Sequence, residues 1–509
     1  MIRSLMIVCA AITAAFIITG PWQIGPVTVK RLEVVLSIWL LAVAALLLST
    51  RTRDAIGELL QKDIVLSRRT LAVASVIVFA FVLRVTTAKY FALEVNAWDF
   101  SLSFDRPIER TLHGELLWSD DLRRSTLGVH GNWLLLAFVP LYAVVASPWW
   151  LIVAQSAAIA AAVLALFHFV RSSGADDFIA AAIALAFLLN RYTAHATQFV
   201  FTIDIAYPVA LFVLFYAFVR RRTTLFTIAL LITISIKEDA IVPLTGFVLV
   251  ALAYRRWWTA AVTMGAAVTA FVTDYFFVLP GLTQWSGAAY ALNWASYGKD
   301  PLAAAMGMLR SPLRVIARVL SGSIGLFASL DFVPVAGWPW ILAALPPLII
   351  LGGADADNVH FFTLHYALPV LPALFASVPF AVARFEGRRA RRGVAFVVLA
   401  TCALAGSTYE LPRPRAERVW IARLIAATTG PVYVQGALVP HAGYETRVRA
   451  LHHDVVPPRD SSYLLCMTCN PYPFSRDDIA ARIDRLRYDS RYEEIRARDI
   501  LLFRRKVGM

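Results

Sequence analysis

Apolar stretches long enough, or nearly long enough, to cross a bilayer recur from one end of the chain to the other. Polar positions fall between them in short blocks. In order, the apolar stretches are Leu5 to Ile18, Leu32 to Ser49, Leu71 to Tyr90, Trp149 to Val170, Phe178 to Asn190, Ile205 to Val219 and Thr224 to Ile236. Then follow Ala240 to Tyr254, Trp257 to Pro280, Val315 to Val333, Trp338 to Gly353, Phe361 to Ala383 and Gly393 to Thr408. The pattern predicts a mainly α polytopic helical membrane protein of about 13 spans. Trp133 to Ala146 is apolar but short, and reads as an interfacial or re-entrant helix. From Tyr409 the pattern changes to polar and charged residues with short alternating runs. PVYVQ, RVRALHH, YLLCM and ILLFRR read as strands, and Ala416 to Ala427 and Asp477 to Arg487 as helices. This predicts a small C-terminal α/β domain over residues 409–509, after two N-terminal spans with a basic loop (1–70) and a membrane core (71–408).

Composition agrees. The chain has 509 residues, 59% hydrophobic and 16% charged, with mean hydropathy +0.65; a soluble protein carries about a quarter charged residues. The net charge of +14 does not point to nucleic acid, because the basic residues gather in short loops between spans. That is the positive-inside pattern. It places the loop holding Arg51, Arg53, Lys62, Arg68 and Arg69, the runs Arg220 to Arg222 and Arg255 to Arg256, and the cluster from Arg384 to Arg392 in the cytoplasm. The loop 91–132, the turn Lys237 to Asp239 and the C-terminal domain then lie outside, with the N-terminus inside. Met1 to Gly20 reads as an uncleaved first helix rather than a signal peptide, given Arg3 and the further span at Leu32. Trp285, Trp294 and Tyr297, followed by Arg310, Arg314 and Arg318, suit a membrane interface.

The outer loop is dense in chemistry. Asp99, Asp105, Glu109, Glu115, Asp120, Asp121, His113 and His130 crowd into it, and polar groups beside a span are where membrane proteins place function. Asp99 can serve as general base on a hydroxyl, hold with Asp105 a divalent cation (Mg or Mn) bound to phosphate, or be a solvated loop acid. Lys237, Glu238 and Asp239 interrupt an apolar hairpin; they read as a phosphate-binding lysine with positioning acids, or as a hydrophilic tip. His130 and His365 sit at helix ends, Asp204 starts a span and Asp274 lies within one. Cys466 and Cys469 form a lone CxxC, read as a local disulfide or as nothing. No Gly-rich nucleotide loop, serine elbow or metalloprotease helix is present in the sequence.

FDRPIERTLHG, with Asp105 and His113, resembles the FDQALWNTLHG-like run of a bacterial membrane family, domain of unknown function 2079. LGVHGNWLLLAFVPLYAVVASPWWLIVAQ is similar to that family's HFSP-type segment, IKEDA to its KEDA, and HYALPVLPALF to its late proline-rich span. ALVPHAGYETRVRALHH resembles its VPHLSNR-type strand and turn. Asp99 matches the family's first acid with one residue inserted, and DIAYP lacks the histidine that often lies between that family's acid and proline. The family is similar in layout to the glycosyltransferase C superfamily. The resemblance implies transfer of a sugar from a polyprenyl-phosphate donor to an acceptor on the outer face of the bacterial inner membrane. It implies Asp99 as base, Asp105 as second acid or metal ligand, and Lys237 on the donor phosphate. Glu238, Asp239, His130 and His365 would line the cavity, and Arg310 and Arg314 would help hold the lipid phosphate. The competing readings are a transporter or lipid flippase that couples through Asp274 and the Lys237 to Asp239 turn, and a non-catalytic envelope scaffold.

Overall fold

A segment surrounded by lipid can satisfy its backbone only within itself, so the apolar stretches fold as helices. The computed structural model describes residues 2–47, 49–96, 98–282, 293–404, 409–453 and 456–506; Trp285 lies outside them. Among the described residues the fold is mainly helical, with a five-stranded sheet near the C-terminus. Among the described residues three helices are long and apolar enough to cross a membrane: Arg68–Phe91, Trp149–Ser172 and Trp257–Leu282. The pair Asp177–Leu189 and Arg191–Thr197, bent by 52°, makes a fourth if taken together. The other apolar helices, such as Thr223–Ile236 and Leu371–Val382, run 10–17 residues. Length and apolarity therefore support fewer crossings directly than the sequence pattern suggests. The reason is local: helices stop where Asn190, Asp204 and Lys237 interrupt the apolar run and where prolines remove amide donors.

Loops that the basic residues assign to one side do meet. Arg388 reaches Asp63 at 2.5 Å. The fully buried Arg392 bonds Asp176 at 2.8 Å and the carbonyls of Leu60 and Lys62 at 3.0 and 2.5 Å. Arg171 pairs with Asp177 at 2.7 Å. The far end of the bundle gathers the loop 91–132, Asp204, the turn Lys237 to Asp239 and the C-terminal segment. That loop is folded rather than open: Phe100, Ile108, Leu117 and Leu127 are fully buried in the main core.

In the C-terminal segment the strands run in the spatial order Val448–Ala450, Val432–Val434, Ser462–Cys466, Ile500–Arg505, Tyr492–Ala497. The first three are parallel and the last two join antiparallel. Tyr492–Ala497 is a strand that the sequence pattern does not reveal. It is the sheet's edge, and its Glu493, Glu494 and Arg496 are the charges that an exposed edge tolerates. Cys466 and Cys469 form a disulfide. The segment is anchored to the acidic loop: Arg106 donates to the carbonyls of Val448 at 2.8 Å and Gly443 at 3.1 Å, and Asp121 accepts from the Ala450 amide at 2.8 Å.

Arg392 is a single side chain joining three segments, so Arg392→Ala strips a buried ion pair and two carbonyl contacts. The expected cost is about 2–4 kcal/mol, read as a lower thermal midpoint of the detergent-solubilised protein. Arg384→Ala, at an exposed position nearby, should stay within about 0.5 kcal/mol of the parent.

Candidate functional site

Two helix breaks build the site. Helix Thr223–Ile236 ends at Lys237, whose backbone is extended (φ −168°, ψ 155°). One tight turn, Glu238–Ala240, follows, and then helix Ile241–Ala253. A second short turn, Ile203–Ile205, carries Asp204 into helix Ala206–Val219. The breaks bring charges together that are far apart in sequence. Lys237 Nζ lies 3.9 Å from Asp204 Oδ1 and 3.6 Å from Asp239 Oδ2. His365 Nε2 lies 3.7 Å from Asp204 Oδ2, which also accepts from the Thr202 hydroxyl at 3.1 Å. Tyr207 donates to Asp239 at 2.5 Å. A hydrophilic hairpin tip is excluded, since Lys237 is 7% and Glu238 3% exposed.

Burial opposes the charge on Lys237, but Asp204, Asp239 and Glu238 outweigh it and hold the ammonium above its ordinary range. Burial pushes the Asp239 carboxyl up, Glu238 and Asp204 add to that, and Lys237 offsets part of it. The separations of 3.6–3.9 Å are ion-pair distances rather than hydrogen bonds. The ammonium therefore keeps donors for something in the cavity.

Glu238 faces another way. Its carboxylate accepts from His130 Nδ1 at 2.9 Å and from the Gly131 amide at 2.6 Å. That fixes the imidazole, with burial opposed by His130 and Lys237 in keeping the Glu238 carboxyl below its usual range. Gly131 is required here: a Cβ would lie 2.5 Å from Asp274 Oδ2. Asp274 Oδ1 accepts from the Trp133 indole at 2.7 Å.

Lys237, Asp204, Asp239, Thr202, His365 and His130 line a polar cavity of about 290 Å³ together with Ser103, Thr126, Asn132, Trp294 and Tyr366. Asp239, Trp294 and Leu351 also wall an apolar groove of about 240 Å³ formed by Ile241, Val242, Phe271 and Met308. That groove in turn shares Ala305, Met308 and Ile350 with a further apolar trough past Leu309, Ile316 and Leu320. The polar chamber thus adjoins an apolar groove, and the groove adjoins an apolar trough.

Of the residues singled out from sequence, His130, Lys237, Asp239 and His365 meet in the chamber, and Glu238 stands behind His130. Asp99 has its backbone in the widened helical turns Trp98–Asp105, and its side chain lies outside the described residues. Asp105 lies elsewhere: Tyr142 and Tyr444 each donate to its Oδ1 at 2.7 Å. Arg310 is exposed at the end of the groove-lining helix Pro301–Arg310, while Arg314 pairs with Asp355 at 3.4 Å over the Tyr297 ring. Tyr207 and Trp294 were not singled out as site residues, because an aromatic in an apolar run carries no local signal. Asp204 did carry one, as an acid opening a span. A divalent cation at Asp105 fits poorly: its accepting oxygen is taken by two hydroxyls, and among the described residues no three His, Cys, Asp or Glu could hold a metal.

A family model described as a predicted membrane protein (DUF2079) matches residues 89–420. Among solved structures, ArnT from Cupriavidus metallidurans, determined in the apo state, is similar over 85% of this chain and 98% of that one. The identity is 13% and the TM-score 0.48, a likeness that carries no argument about chemistry. No curated protein matches the sequence.

Asp105 yields a pH prediction. Burial pushes its carboxyl up to about 6, against the hydrogen bonds from Tyr142 and Tyr444 and the charge of Arg106, with Glu109 adding to the rise. A raised acid binds its proton more tightly in the folded state. Its contribution is therefore present below the ordinary value of 3.8 and lost as pH rises through about 6. The loss is about 3 kcal/mol at most. Melting temperatures taken across this interval should fall less in Asp105→Asn than in the parent.

Proposed function

The chain belongs to the DUF2079 family of predicted membrane proteins, and from that premise and the cavity geometry we propose a membrane glycosyltransferase. It moves a sugar from a polyprenyl-phosphate donor to an acceptor hydroxyl. The observation that carries this reading is the shared wall of Asp239, Trp294 and Leu351 between the polar chamber and the apolar groove. A ligand filling both must be an amphiphile with a polar head and a long apolar tail. Lys237, an ammonium held charged and without a hydrogen bond among the described residues, suits an anionic oxygen of that head. Two carboxylates beside it oppose an anion, so donor binding calls for a proton on Asp239, whose carboxyl is already pushed up.

In the transfer, the acceptor oxygen bonds to the anomeric carbon and the bond from that carbon to the phosphate oxygen breaks. The electron pair leaves on the polyprenyl phosphate. Asp99 takes the hydroxyl proton; it belongs to the same helical segment as Ser103 and Phe104, which line the chamber. His130, positioned by Glu238, is the second group facing the reacting atoms. Arg310 attends the lipid phosphate from the end of the groove-lining helix, and Arg314 supports it nearby. The chamber opens on the extracytoplasmic side of a bacterial inner membrane, with the N-terminus in the cytoplasm. Support for this sidedness comes from the basic clusters at the opposite end and from the disulfide, which suits an oxidising compartment.

The transporter reading keeps one observation of its own: Asp274 is 2% exposed, and its Oδ2 has no hydrogen-bond partner among the described residues. A scaffold gains no support from Asp204 and Asp239 sharing one chamber with Lys237.

With purified protein and a polyprenyl-phosphate-linked sugar, Lys237→Ala should lower kcat/KM by about a hundredfold or more. Asp99→Asn should lower kcat by about as much, and the donor KM should rise with pH. Transfer left intact in both variants, each with an unchanged melting temperature, would sink the assignment. Flux in proteoliposomes that is abolished by Asp274→Asn, without transfer, would favour the transporter.

A further inference from the structure

A second cavity, of about 470 Å³, lies between the hairpin Trp118–Ser125 of the acidic loop and one side of the C-terminal sheet. Its walls mix charge with aromatic rings, and the charges do not cancel. Asp121 accepts from the Ala450 amide at 2.8 Å and lies 3.9 Å from Arg106. Asp120 is paired with Arg110 through one oxygen. Arg447 is tied to Glu445 at 2.6 Å and to the Thr428 carbonyl at 2.9 Å. Two cations remain. Arg449 has a 3.4 Å contact with Asp120, an acid that Arg110 already neutralises, and also feels Asp121, which Arg106 and the Ala450 amide engage. Arg123 makes no ion pair or hydrogen bond among the described residues, and the hairpin holds it at φ 53°, where a side chain is strained. The half-buried Trp118 supplies apolar ring surface in the same cavity, and the largely buried Tyr433 borders it.

Guanidinium forks match carboxylate or phosphate, and a pocket with a few polar anchors and aromatic walls suits a small polar ligand with apolar faces. We propose that this cavity binds an anionic saccharide, its acid group held by Arg123 and Arg449 and a sugar ring laid against Trp118. The proposal stands whether the protein is a transferase or not. If it is a transferase, the cavity belongs to the acceptor's approach, because the hairpin continues directly into Thr126 and Val129, which line the polar chamber.

The test is calorimetric titration of the full-length protein in detergent with three probes: trigalacturonic acid for the carboxylate, glucose 6-phosphate for the phosphate, and maltotriose as the neutral control. At least one acidic sugar should bind saturably in the millimolar range or better, and maltotriose should not. Arg123→Ala and Arg449→Ala should each weaken that binding about tenfold, with unchanged melting temperatures. Arg123 contacts no partner whose loss would unfold the chain, so its variant keeps the test decisive. Binding should persist in Lys237→Ala. No saturable binding of either acidic sugar, equal binding of maltotriose, or unchanged affinity in both arginine variants would overturn the proposal. Loss of binding in Lys237→Ala would put the sugar in the other chamber and overturn it too.

Discussion

A charged lysine cannot be buried in an apolar bundle alone. Lys237 is buried, and the architecture around it follows from that fact. Its carboxylate partners come from two places: Asp204 from the start of one helix, and Asp239 from the turn two residues on. To bring them within reach, the end of helix Thr223–Ile236 meets the start of helix Ala206–Val219. The broken ends then expose backbone and side-chain polar groups to a common space. The polar chamber is thus a consequence of neutralising one ammonium, and the short helices around it are the structural cost of doing so.

The acidic loop and the C-terminal segment complete the enclosure. Asp105 does not enter the chamber. It receives Tyr142 from the membrane core and Tyr444 from the C-terminal segment on one oxygen, so it acts as a joint between them. His441 reinforces the same seam: it contacts the Tyr90 carbonyl at 3.1 Å, and burial pushes its imidazole down to about 4, leaving it neutral. With Arg106 bonded to the carbonyls of Val448 and Gly443, the seam is held by directional contacts rather than by apolar area alone. The loop therefore has two jobs. Arg106 and Asp121 fix the C-terminal segment, and Ser103, Phe104 and the stretch from Thr126 to Asn132 wall the chamber.

The chemistry that these spaces favour follows from their linings. A polar chamber beside an apolar groove, if one ligand fills both, discriminates against purely polar and purely apolar ligands, because either would leave one part poorly solvated. An amphiphile satisfies both. The second cavity offers two under-used guanidiniums beside aromatic residues, which suits a polar anionic ligand instead. The two cavities differ in ligand class for this reason, although one loop contributes to both.

Much of this was legible in the residues themselves. Hydrophobic periodicity and the distribution of Arg and Lys were enough for a helical membrane protein, for the change of character at Tyr409, for four of the five C-terminal strands, and for Lys237, Glu238 and Asp239 as an anomaly. These are local properties, set by side-chain transfer energies and by spacing along one segment. The sequence could not give the partner of each charge. Asp204 and Lys237 are separated by a helix pair, Tyr444 and Asp105 by most of the membrane core, and no local pattern encodes such pairings. Glu238 lines the apolar groove and also supports His130, and Asp105 is engaged by two tyrosines. Tertiary packing decided those roles, because the protonation and reach of a buried group depend on what the fold brings within a few ångströms of it.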